Sequence, residues 1–126
     1  MTDSKTTILR LKKRVDQFVK ERDWQQFHTA KNISTSIAIE TAELMEHFQW
    51  DDYQNDASWS AKKKVEIADE VADIVVYALD FCNAFNIDLA QAIDNKIKKN
   101  EKKYPVKKVK GKSHKYTYYQ QKKKAQ

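Results

Sequence analysis

Glycine, proline and cysteine occur once each in 126 residues, as Gly111, Pro105 and Cys82. β-Sandwiches, barrels and Rossmann folds use glycine and proline at turns and phosphate loops, so this composition argues against all three. Neither G-x-G-x-x-G nor a Walker A loop can be written with one glycine. A lone cysteine forms no disulfide within the chain and no Cys-rich zinc module. No apolar run approaches the roughly 18 residues of a membrane span, and the N-terminus lacks the apolar core of a signal peptide. The expectation is a soluble, cytoplasmic, all-α protein without membrane contact. About 126 residues suit one domain with one modest core.

Charge of one sign is scarce in a single place. Residues 101–126 contain ten lysines and one acid, Glu101, for a net +9, whereas residues 1–100 carry 14 basic and 17 acidic side chains, for −3. The overall +6 is therefore a property of the tail and is not the even basic surface of a nucleic-acid binder. The expected division is a helical domain over 1–105 and a basic, partly ordered tail over 106–126.

Apolar periodicity predicts four helices. The first spans about Thr6 to Arg22, with Ile8, Leu11, Val15 and Phe18 on one face. The second spans about Lys31 to Phe48, with Ile33, Ile37, Leu44 and Phe48. The third spans about Ser60 to Phe85, capped by Ser58 or Ser60, and the fourth starts at Asn86 or Asp88 and ends near Lys103. Trp59 reads as an anchor at the start of the third helix, and Gln121 to Gln126 read as disordered.

Acids interrupt these stripes. At about 100° per residue, Glu40 falls about 20° from Ile33, in the centre of the apolar face, and Glu43 borders it. Glu46 falls on the far side, as a salt-bridge former. Apolar side chains from Val65 to Cys82 cover most of the third helix, which predicts burial nearly all round. Its one polar strip holds Glu66, Glu70, Asp73, Tyr77 and Asp80, with Glu66 expected in a salt bridge. On the fourth helix Leu89 and Ile93 give way to Lys96 and Asn100.

Two carboxylates about 5 Å apart repel by roughly 3 kcal/mol at an effective dielectric near 20. A cluster of Glu40, Glu43, Glu70 and Asp73 persists if it takes up protons, pairs with cations or binds metal. All-oxygen ligation suits Mg²⁺ first and Mn²⁺ second, and Mg²⁺ held by few carboxylates meets substrate phosphates. The competing reading is a solvated acidic face paired to lysines. A di-iron bundle needs Glu-x-x-His pairs, which are absent, and His28, His47 and His114 lack zinc-ligand spacing.

The motifs Asp23-Trp24-x-Gln26-Phe27-His28, Lys31-Asn32, Glu40-x-x-Glu43-Leu44-x-Glu46-x-Phe48-Gln49-Trp50 and Asp69-Glu70-x-x-Asp73-x-x-x-Tyr77 form an ordered set. This set resembles the MazG-type all-α nucleoside triphosphate pyrophosphatases, with a four-helix bundle-like fold. Asp88-Leu89, Lys96-x-x-x-Asn100-x-x-x-Tyr104-Pro105-Val106 and Lys115-Tyr116-Thr117 resemble the branch containing dCTP pyrophosphatases. The resemblance covers about Val15 to Thr117. It implies Mg²⁺-dependent hydrolysis of a nucleoside triphosphate between the α and β phosphates. It makes Glu40, Glu43, Glu70 and Asp73 the metal ligands, with Glu43 assigned as the carboxylate nearest the attacking water. Trp24 and Trp50 would hold the base, and Tyr77, Lys96 and Asn100 would line the nucleotide site. Lys31, Lys103 and Tyr104 would meet phosphates, and His28 is placed among the substrate-binding residues, with a structural role as its alternative. The branch carries a histidine nine residues before its first pocket tryptophan, where this chain has Val15.

Trp24 and Trp50 have core or interface aromatics as their competing reading, but both flank polar loops rather than helical stripes, which favours the pocket. A second function class is a helical module whose Lys/Tyr-rich tail binds nucleic acid, with Tyr104, Tyr116, Tyr118 and Tyr119 interleaved among the lysines. It leaves the acids on apolar faces unexplained, so no nucleic-acid partner is expected. The wide apolar arcs predict a homo-oligomer, a dimer or a tetramer.

Overall fold

A computed structural model describes residues 1–51 and 56–125. Among the described residues there are six α-helices: α1 Ile8–Glu21, α2 Ala30–Glu46, α3 Ala61–Ala84, α4 Leu89–Lys103, α5 Val106–Val109 and α6 Tyr116–Lys124. Short 3₁₀ turns occupy Gln25–Phe27 and Asp56–Ser58, and no strand occurs among the described residues. No helix among them is long and apolar enough to cross a membrane. The chain forms two compact units, Met1–Ile87 and Asp88–Gln126.

Of the expected caps Ser60 and Asp88 are present, and Thr7 and Thr29, for which no cap was named, start α1 and α2 in the same way. Hydroxyl or carboxylate oxygens of Thr7, Thr29, Ser60 and Asp88 accept hydrogen bonds from the backbone amides of Arg10, Asn32, Lys63 and Gln91. Each thereby satisfies an amide that the helix itself leaves unpaired. Asn86 is not a start cap. It adopts φ 53° just beyond α3, and the Ile87 amide donates to the Cys82 carbonyl at 2.9 Å. Asp23 does the same after α1, with φ 52° and the Trp24 amide bonded to Val19 O at 3.1 Å. Both are Schellman closures, normally made by glycine. Asp and Asn tolerate the left-handed region better than other side chains, so they end these helices in a body that has no glycine.

In the first unit α3 packs against α2 and, less extensively, against α1. The core holds Val15, Val19, Ile33, Ile67, Leu79 and Cys82. Lys12 Nζ donates to Ile87 O and Asn83 Nδ2 donates to Lys12 O, both at 2.8 Å, tying α1 to the end of α3. Phe18 was expected in the α1 stripe but is 44% exposed, and Val19 is buried instead. Counting about 100° per residue from Ile8, Val15 falls near about −20° and Val19 near about +20°, so the buried face centres on Ile8 and Phe18, near about −80°, lies at its edge. Phe18 carries the Arg22 guanidinium 3.7 Å above its ring.

The expected burial of α3 around its whole girth does not hold in one chain. Ile67, Leu79, Asp80 and Cys82 are buried, while Val65, Val71, Val75 and Val76 are exposed. Two helices cannot cover every side of a third. The N-terminal two-thirds of α3 therefore leaves an apolar face open.

In the second unit the tail is more regular than its composition implied. Gln121–Lys124 continue α6, against the expected disorder. Aromatic contacts organise this segment: Tyr104 Oη accepts from the Tyr116 amide at 3.3 Å, and His114 stacks on Tyr118 at 4.2 Å. Gly111 sits in the turn after α5 with φ 75°, a conformation that suits glycine.

Candidate metal and nucleotide site

The packing of α2 on α3 decides the site. Glu40 and Glu43 stand one turn apart on α2, and Glu70 projects from α3. Each offers a carboxylate oxygen, and these oxygens lie within 4.8 Å of one another. Glu40 and Glu70 are half-buried and Glu43 is exposed. Desolvation pushes the Glu40 carboxyl above its ordinary value, and the charges of Glu43, Asp73 and Glu70 push it further in the same direction, as does a hydrogen bond with the Glu43 side chain. Asp73 lies outside the close trio but still acts on Glu40 through its charge.

A hard divalent cation fits this arrangement. The donors are all carboxylate oxygens, they converge, and a cation would relieve the repulsion that drives Glu40 towards protonation. The sign of the pH dependence follows. A carboxyl with a raised native pKa contributes stability that is fully present below its unfolded pKa and is lost as pH rises through the native value. Metal-free protein should therefore lose stability on rising through that range. Stabilisation by added Mg²⁺ should grow over the same range, because the cation needs the unprotonated form. Thermal melts with and without a chelator, from about pH 4 to 7, check both trends. A Mg²⁺ shift that does not vary with pH would contradict them.

Beside the trio, Glu43 and Glu70 line an open cleft of about 360 Å³ with Glu46, His47 and Lys63. Nε2 of His47 lies 3.5 Å from Oε1 of Glu70. Sequence reasoning missed His47, although it falls about 40° from Ile33, between Glu40 and Glu43 in angle. Glu46 was placed on the far side but joins the cleft wall. At the C-terminal end of α2 it lies about 60° beyond Glu43 in angle, and a glutamate's length bridges that offset. Glu66 makes the expected surface salt bridge, with Lys62 at 3.7 Å. Trp59 packs on Phe48 at 5.7 Å between ring centres, as an anchor would.

The other expected residues are distributed as follows. Trp24 packs edge-on against Phe18 at 5.7 Å, lies 6.3 Å from the His28 ring and remains 42% exposed. Trp50 is 87% exposed, two residues before the segment 52–55 that lies outside the described residues. Tyr77 is half-buried on the same strip of α3 as Glu70 and Asp73, and Lys31 is exposed in the first turn of α2. Val15 is a core residue of α1. Lys96, Asn100, Lys103 and Tyr104 belong to the second unit. There the Lys103 ammonium lies 4.5 Å from the centre of the Tyr116 ring, and the Tyr104 hydroxyl is engaged by the Tyr116 backbone.

Fold and site together define a chain that is all-helical among the described residues, with carboxylates of α2 and α3 converging to within 4.8 Å. Residues 35–118 match the model of the MazG-like family, and the chain belongs to that family. It is 33% identical over 116 residues to dCTP pyrophosphatase 1 of Bos taurus, covering 90% of this chain and 69% of the bovine protein. Against dCTP pyrophosphatase 1 of Mus musculus it is 34% identical over 103 residues, covering 80% of this chain and 61% of the mouse protein. A solved pyrophosphatase from Archaeoglobus fulgidus superposes with a TM-score of 0.66 at 33% identity, covering 83% of this chain and 98% of that one.

Proposed function

We propose that this chain is a nucleoside triphosphate pyrophosphohydrolase that cleaves dCTP or a related deoxynucleotide to the monophosphate and pyrophosphate, using Mg²⁺ or Mn²⁺. The single observation that carries this reading is the convergence of Glu40, Glu43 and Glu70 in a chain whose relatives are named pyrophosphatases. Glu40, Glu43 and Glu70 would hold the cation, with Asp73 as the fourth acid of the motif. When bound, the cation supplies electrostatic stabilisation of the charge that builds on the phosphates.

The remaining steps fall to the protein's own side chains. Glu43 is the exposed member of the trio and opens on the cleft, so it is the carboxylate best placed to accept a proton from water. The water oxygen bonds to the α phosphorus, the bond from that phosphorus to the bridging oxygen breaks, and pyrophosphate leaves. Lys63 and His47 on the cleft wall are the local donors for phosphate oxygens. Trp24 offers a half-exposed ring to the base, and Trp50 a second one. Tyr77 faces the nucleotide from the α3 strip. Lys31 would meet a phosphate from the first turn of α2. For Lys96, Asn100, Lys103 and Tyr104, carried by the second unit, the substrate-binding role rests on the family motif alone.

A panel of natural and base-modified triphosphates with Mg²⁺, scored by pyrophosphate release, tests this reading. The expected result is monophosphate plus pyrophosphate, with the highest kcat/KM for a cytosine deoxynucleotide. Release of orthophosphate instead, or no hydrolysis of any triphosphate, would sink it.

The exposed valines of α3 support assembly into a homo-oligomer through that face. Val71→Asp or Val75→Asp should drive the assembly to a 14.9 kDa monomer in sedimentation. A wild-type chain that already sediments as a monomer would refute the interface.

A further inference from the structure

Besides the carboxylate trio, the first unit holds a titratable pair, a buried acid against a half-buried histidine. Asp80 on α3 is 5% exposed, and His28 closes the 3₁₀ turn Gln25–Phe27. Oδ2 of Asp80 and Nδ1 of His28 approach to 2.5 Å, without the alignment of a regular hydrogen bond, and neither atom has another hydrogen-bond partner. A buried carboxylate is costly unless paired, so His28 is what makes Asp80 tolerable at that position.

The pair also has a geometric consequence. The segment from Asp23 to His28 carries Trp24, and its hydrogen bonds run to near neighbours in sequence. Trp24 N reaches Val19 O, Gln26 Nε2 reaches the carbonyl and carboxylate of Asp23, and Asn32 Nδ2 reaches Phe27 O. The His28–Asp80 contact instead joins positions 52 residues apart and fastens this connector to α3. On α3, Asp80 shares the acidic strip with Glu70, ten residues away, or about 15 Å along the axis. A bound nucleoside triphosphate is of that scale.

We propose that His28 and Asp80 form a latch that positions the nucleobase platform. It fixes the Trp24 indole at one end of the α3 strip, while the carboxylates at Glu70 mark the phosphate end. Both are positioning residues, acting through Trp24, and the proposal rests on the reading of Trp24 as part of the base site.

His28→Phe keeps the ring and removes the donor, whereas His28→Asn returns a donor near the place of Nδ1. Trp24→Ala is the control, and Asp80→Asn is a second route to breaking the pair if His28→Phe folds poorly. In the full-length chain, the readouts are amide exchange of residues 23–28, Mn²⁺ affinity, and KM and kcat for dCTP. His28→Phe should speed exchange in the connector and raise KM about tenfold, with kcat within about threefold and Mn²⁺ affinity unchanged. His28→Asn should recover most of both effects. Normal exchange and KM in both His28→Phe and Asp80→Asn would overturn the latch. A raised KM in Trp24→Ala but not in His28→Phe would overturn the latch and leave the base site standing. An unchanged KM in Trp24→Ala would instead remove the base-site reading and the latch's role in it.

Discussion

Glu70→Gln should reduce kcat for triphosphate hydrolysis by at least about 10²-fold and abolish stabilisation by Mg²⁺. Glu70 is the α3 member of the close carboxylate trio, so its loss leaves Glu40 and Glu43 on one helix with nothing opposite. Two neighbouring carboxylates do not enclose a cation as three converging ones do. Glu43→Gln should lower kcat to a similar extent, about 10²- to 10⁴-fold, the usual contribution of a positioned acid or base. The metal-free protein should respond in the opposite direction. Removing either charge relieves the repulsion that raises the Glu40 carboxyl, so both variants should melt at higher temperature than the wild type in chelator. A fall in activity with a gain in metal-free stability is the mark of charges held together for a ligand. Asp73→Asn should have a smaller effect on cation affinity, because Asp73 lies outside the trio. Wild-type turnover in both Glu70→Gln and Glu43→Gln would remove the metal-site assignment.

Ile33→Ala should destabilise the first unit by about 2 to 5 kcal/mol. Ile33 is 1% exposed, the most deeply buried large side chain among the described residues. Truncation loses its transfer free energy and leaves a cavity that the close-packed surroundings fill only in part. Stability of such domains is about 5 to 15 kcal/mol in total, so one methyl-rich side chain accounts for a large share. Ile33 also lies on the α2 face that carries Glu40, and loosening that packing should weaken Mg²⁺ affinity along with the melting temperature. Urea titration followed at two wavelengths measures the first effect and calorimetry with Mg²⁺ the second. A loss under about 1 kcal/mol would show that burial of Ile33 is not a main support of the unit.

The starts of α3 and α4 were legible because capping is local: Ser60 and Asp88 act on amides within three residues of themselves. Helix ends were less so. Asn86 has the composition of a start cap, and only the chain reversal after α3 shows it closing a C-terminus. Glu40, Glu43 and Glu70 were legible as site candidates because a carboxylate on an apolar stripe breaks a pattern with a fixed angular period. His47 was not legible because a lone histidine at a helix end has no ligand spacing to another histidine and its partner lies on a different helix. Its contact with Glu70 joins positions 23 residues apart.

The scarcity of glycine and proline, the stripe period and the acid spacing determined by themselves an all-helical chain with carboxylates gathered on two helices. Tertiary structure decided which of those acids converge, because 4.8 Å contacts between α2 and α3 depend on how the helices are rotated and shifted against each other. Periodicity gives the angle of a residue about its own axis and says nothing of its height against a neighbour. That is why Asp73 separates from the trio, Glu46 and His47 join the cleft, and much of α3's apolar girth stays uncovered in a single chain.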